Sequence, residues 1–106
     1  MKLRHATTRA RLERIRRDGL RVACADPAAK IKGVWLHTAS QSPWAVVHTI
    51  RKHRASLEDV VVVEVNVPRS ALKRFRTGLW YTTADVPATA IGREHAGAEF
   101  GASASE

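Results

Sequence analysis

His5-Ala6-Thr7 and, further along, Gly33-Val34-Trp35-Leu36-His37-Thr38 carry the side chains best suited to chemistry. An imidazole both donates and accepts at a sugar diol, and an indole offers a broad π face with one N–H. Two strand ends that bring these groups together could hold a ribose and stack a pyridine or purine ring, which is the chemistry of a nucleotide site. Taken singly, His5 could instead satisfy a backbone group at a strand end, and Trp35 could be core. Arg51-Lys52-His53-Arg54 is a second candidate: its cations could bind phosphate, or could simply complement the negative end of a helix dipole. His37 and His48 stand at no helical ligand spacing and Cys24 is alone, so neither a metal site nor a disulfide is expected.

The elements that must position these groups follow from periodicity and turn chemistry. Lys2 to His5 reads as a short strand, Thr7-Thr8 as a helix start, and Arg9 to Asp18 as a helix with Leu12 and Ile15 inward and Gly19 as its stop. Arg21 to Lys32, with Asp26-Pro27, has no period and reads as a loop. Val34 to Thr38 is a strand. Ser42 is expected to cap a second helix with Pro43 in its first turn, Trp44, Val47 and Ile50 on one face, and Arg51 to Arg54 at its end. Val60 to Val67 reads as a central strand, buried on both faces through its four-valine run. A short helix over Arg69 to Phe75, a strand over Leu79 to Thr83, and a last extended piece reaching Ile91 complete the order. Small and polar residues from Gly92 onward suggest a flexible tail, 92–106.

Composition sets the frame. A chain of 106 residues with 44% hydrophobic residues and three Trp can build one modest core, hence one domain over residues 1–91. No apolar run approaches the ~20 residues of a membrane span, and Met1-Lys2-Leu3-Arg4-His5 has no secretory character, so a cytoplasmic protein is expected. Eighteen Lys and Arg against ten Asp and Glu give a formal charge of +8. That balance suits a polyanionic partner such as nucleic acid, although charged helix faces also serve solubility alone. No Gly-x-Gly-x-x-Gly and no Gly-Lys-Ser/Thr loop is present, so dinucleotide-binding and P-loop phosphate cradles are excluded.

In this order, Leu3-Arg4-His5-Ala6-Thr7, Asp18-Gly19-Leu20 and Val34-Trp35-Leu36-His37-Thr38 resemble the opening of the ADP-ribosyltransferase fold. Val61-Val62-Val63-Glu64-Val65 followed by Leu79-Trp80-Tyr81-Thr82-Thr83 and Val86-Pro87 is similar to the RNA 2′-phosphotransferase branch, in particular its C-terminal NAD-binding lobe. The resemblance spans about residues 3–91. It implies an α+β fold, a small split or strongly bent β-sheet with two main helices and one short helix. It implies NAD⁺ as a substrate, held by His5, Thr7, Trp35 and Thr38, with His5, Arg51, His53 and Arg54 in the catalytic roles and a nucleic acid or phosphorylated acceptor. Many ADP-ribosyltransferases carry a catalytic Glu where this chain has Leu79-Trp80, and the phosphotransferase branch does without it. The alternative expectation is a non-catalytic NAD or ADP-ribose module, or a basic nucleic-acid-binding domain.

Overall fold

A computed structural model describes residues 1–24 and 29–100. The Asp26-Pro27 part of the expected loop and positions 101–106 of the expected tail lie outside the described residues. Six strands form one antiparallel sheet: β1 (Lys2–Thr8), β2 (Val34–His37), β3 (Val60–Asn66), β4 (Lys73–Arg76), β5 (Leu79–Thr82) and β6 (Ile91–Ala96), in the order β4-β5-β2-β1-β3-β6. The two main helices, α1 (Arg9–Asp18) and α2 (Ser42–His53), make the fold α+β.

The four-valine run organises the packing. Val61, Val63 and Val65 share a core with Leu3, Leu36 and the α1 residues Leu12 and Ile15, whereas Val60 and Val62 pack with Val46 of α2. Because side chains alternate along β3, α1 and α2 cover opposite faces of the sheet. A strand buried on both faces must also find partners for all its backbone groups. On one side it has β1, in register from Lys2 opposite Asn66 to Thr8 opposite Val60. On the other it has β6, and this corrects the expectation that the tail begins at Gly92: the sheet reaches Ala96, and Gly97 passes so near Val60 that a Cβ there would lie 2.6 Å from its carbonyl oxygen. Small residues permit that close approach, and their composition had suggested disorder. His95 Nε2 and Glu64 Oε2, 2.8 Å apart, tie the same two strands together.

Gly19 ends α1 at φ +79° and ψ −172°, with its N–H donating to the Ile15 carbonyl; the next residue, Leu20, exchanges backbone bonds with Val86. A Cβ at Gly19 would stand 2.1 Å from the Val86 oxygen, on top of a backbone conformation that side chains disfavour. Gly19→Ala is expected to cost more than about 2 kcal/mol, read as a lowered urea midpoint with unchanged slope.

Three local expectations are corrected. Ser42 is the first residue of α2 rather than its cap, which is Gln41, and its side chain is fully buried. The inward face of α2 is Ser42, Ala45, Val46 and Thr49, while Trp44 is exposed. Three-residue steps turn back by about 60° each around a helix, so Ile50 stays at the core and Trp44 swings away from it. Finally, the short helix over Arg69–Phe75 is one 3-10 turn, Arg69–Ala71, after which Lys73–Arg76 runs as edge strand β4. Gly78, at φ +82°, lets β4 turn back onto β5, and the ladder replaces the helix.

The sheet has one weak line. β1 and β2 share a single registered pair, Arg4 with His37, although β1 continues to Thr8. Continuing that register would set Ala6 opposite Trp35. Instead the strands part, and the His5 imidazole bridges them: Nδ1–H donates to the Trp35 carbonyl oxygen at 2.9 Å.

Candidate functional site

The parting of β1 and β2 opens a cavity of about 760 Å³. Side chains from both helices line it, although the helices lie on opposite faces of the sheet, as the gap between these strands allows. Its size falls within the range of small-molecule and cofactor sites. His5, Thr7, Trp35 and His53 border it, so these four expected site residues are brought to one space. The bland role for His5 is also present, since Nδ1 does satisfy a backbone carbonyl. That bond fixes the tautomer: a carbonyl only accepts, so Nδ1 carries the proton and neutral His5 keeps an accepting lone pair on Nε2.

The other expected residues lie elsewhere. Thr38 leads into the 3-10 turn Ala39–Gln41, its hydroxyl 3.1 Å from the Ser40 hydroxyl, and does not line the cavity. Arg51 and Arg54 are exposed and outside the lining, while the intervening Lys52 and His53 face it. A helix turns about 100° per residue, so a run of four basic residues cannot point one way. Arg54 adopts φ +50° as the left-handed end of α2, which directs the chain out of the helix.

Aromatic and cationic groups stand among aliphatic ones in the walls. Trp35 meets Tyr81 at 5.0 Å between centroids and Phe75 edge-on at 5.1 Å, and its indole N–H donates to the Ile31 carbonyl at 3.4 Å. Arg11 and Arg14, one turn apart on α1, join Arg21, Lys52 and Arg76 around the space. The one carboxylate among the described lining residues is Asp18, held below the usual carboxylate range by its hydrogen bond from Arg17 at 3.2 Å. Sequence reasoning missed Arg11, Arg14, Trp44 and Phe75 as lining groups. The i, i+3 spacing of the two arginines was the available signal.

Two imidazoles are kept neutral. Burial, with lesser contributions from Lys52 and His53, lowers the pKa of His5 against the opposing effect of the Trp35 carbonyl. Burial also brings His37 down to about 4, helped by His5 and Arg4. Neutral His37 shares a hydrogen bond between Nε2 and the Ser42 hydroxyl at 3.4 Å, and Arg4 donates to the same oxygen at 3.4 Å. Ser42 therefore links a buried imidazole to a cation; being fully buried, it is a structural group rather than an accessible nucleophile. Among the described residues no three His, Cys, Asp or Glu side chains gather as a metal site, and no helix is long and apolar enough to cross a membrane. A scan against protein-family models finds no match for the chain, and a search of curated proteins finds none.

Proposed function

We propose that the chain is an NAD⁺-dependent transferase of the ADP-ribosyltransferase type, acting on a nucleic acid or phosphorylated acceptor in the manner of the RNA 2′-phosphotransferases. The observation that carries this reading is the open seam itself: a neutral imidazole, an indole and a cationic lining border one cavity between β1 and β2. Such a lining suits a ligand with a dianionic pyrophosphate between two flat heterocycles. His5 Nε2 accepts from a ribose hydroxyl, Trp35 offers ring contact, and Arg11, Arg14 and Lys52 offset pyrophosphate charge. NAD⁺ supplies an ADP-ribosyl group, its C1′–N bond breaking with the electron pair leaving on nicotinamide as an acceptor oxygen bonds to C1′.

The scarcity of carboxylates among the described lining residues favours a phosphate acceptor. A hydroxyl acceptor must lose a proton, whereas a phosphate oxygen has none to lose, and it is attracted by the cations already there. The same scarcity supports the second reading, a module that binds NAD⁺ or ADP-ribose without turnover. NAD⁺ and RNA occur together in the cytoplasm, which is the location this reading assigns.

Incubation with NAD⁺ labelled in its adenylate, using RNA with and without an internal 2′-phosphate, separates the readings. Nicotinamide release with label appearing on, or phosphate leaving, the RNA is the expected result. Calorimetric NAD⁺ binding without release identifies the non-catalytic module. Neither binding nor release overturns both.

A further inference from the structure

Trp44 and Phe75 are, with Met1, the exposed large hydrophobic residues of the described chain, at 43% and 52% exposure. They come from different elements, α2 and the edge strand β4, yet both border the mouth of the same cavity. Arg76 joins them: its guanidinium carbon lies 5.9 Å from the Trp44 ring centroid and 6.0 Å from that of Phe75. Those distances are the outer limit of a cation–π contact, and they place the guanidinium between the two rings. Trp44 is in turn aligned with His48, at 5.1 Å and 13° between planes, which orients the indole.

The surroundings carry one sign of charge. Residues 27–57 and 65–84 contain no Asp or Glu, so β2, α2, β4 and β5 are free of carboxylates, and β4 itself reads Lys73-Arg74-Phe75-Arg76 with every residue exposed. Charge on an edge strand wards off strand pairing, which accounts for Lys73 and Arg74. It does not account for two exposed rings flanking a guanidinium. That combination meets a ligand with phosphates and flat faces at alternating positions.

We infer that the Trp44–Arg76–Phe75 mouth is a platform for a single-stranded nucleic acid segment, with bases on the rings and backbone phosphates on Arg76 and the β4 cations. A duplex presents its phosphates but keeps its bases stacked, and an acidic peptide lacks the flat faces; only a single strand uses both features. The platform adjoins the inner cavity, so a strand lying across it delivers a backbone group to the seam. The inference deepens the proposed function and rests on that reading for the purpose of the contact, though not for the contact itself.

Fluorescence polarisation with a labelled 12-nucleotide single strand, the matching duplex and a polyglutamate peptide tests it, with NAD⁺ binding measured in parallel by calorimetry. The single strand is expected to bind at least tenfold more tightly than either other probe. Trp44→Ala should weaken single-strand binding about tenfold, and an unchanged urea-unfolding midpoint reports an intact fold. Arg76→Ala should lower the slope of log affinity against log salt by about one. Equal binding of duplex and single strand, tighter binding of polyglutamate, or wild-type single-strand affinity in Trp44→Ala overturns the inference. Single-strand binding without NAD⁺ binding leaves the platform standing and removes the transferase; NAD⁺ turnover without single-strand binding does the reverse.

Discussion

Replacing His5 with Ala is expected to lower nicotinamide release about 10²-fold and to weaken NAD⁺ binding measured by calorimetry. On the proposed reading the side chain has two jobs at the seam, and the replacement removes both. Its Nδ1–H bonds the Trp35 carbonyl, and its Nε2 is the accepting atom left for a ligand. Loss of the first alone should cost about 1 kcal/mol of stability. His5→Asn separates the two, because the Asn side-chain nitrogen occupies nearly the position of Nδ1 and has no counterpart of Nε2. Stability should recover in His5→Asn while turnover and binding stay low; recovery of turnover together with stability would show that His5 acts only as a brace. The pH profile adds a further check. Since burial lowers the His5 pKa, Nε2 stays unprotonated below the ordinary imidazole value, and activity should be level at neutral pH and decline only as pH falls through that lowered value.

The second large effect is on stability in mild acid. His37 is buried and its pKa is lowered from 6.5 to about 4. The unfolded chain therefore takes up a proton near 6.5, where folded His37 does not. The sign follows: the folded state keeps its full stability above about 6.5, loses it progressively as pH falls, and has lost the whole contribution at about 4. That interval corresponds to about 3 kcal/mol, and His5, shifted in the same direction, adds to it. Urea unfolding across this window should show the decline in the native chain. His37→Gln retains a polar partner for Ser42 without titrating, and its decline should be shallower by about the same amount. Parallel curves for the two proteins would exclude His37 as the source.

What could be read from the chain, and what could not, divides along physical lines. Leu12, Ile15 and the stop at Gly19 give α1 its bounds, because local periodicity and a left-handed terminator both act within the helix. The valine run likewise betrays its two-sided burial, since no exposed strand tolerates four such residues. β4 and β6 are different. Lys73-Arg74-Phe75-Arg76 has no inward side chain and is a strand only through its hairpin with β5, while Ile91–Ala96 is short of β-branched residues and is held by β3, a neighbour far away in sequence. Pairing of that kind leaves no local pattern. At the site, the His-x-Thr and Trp-Leu-His segments do reach one cavity because strands carry them there. Arg51 and Arg54 do not, because charge density in a sequence says nothing about rotation around a helix axis. Trp44 escaped for the converse reason: an aromatic residue in a helix reads as core, and this one faces out.

The single registered pair between β1 and β2 has a consequence for how the molecule comes apart. A sheet unfolds as one cooperative unit when its ladders are continuous, and here β4-β5-β2 is joined to β1-β3-β6 by Arg4 with His37 and by one imidazole. Side chains still join the halves, since Leu36 and Trp80 share a core with Leu3, Val61 and Val63, so the seam is a gap in the backbone ladder rather than a division of the fold. A ligand seated there would touch both halves and add contacts that the ladder lacks, so its binding should also raise the stability of the fold.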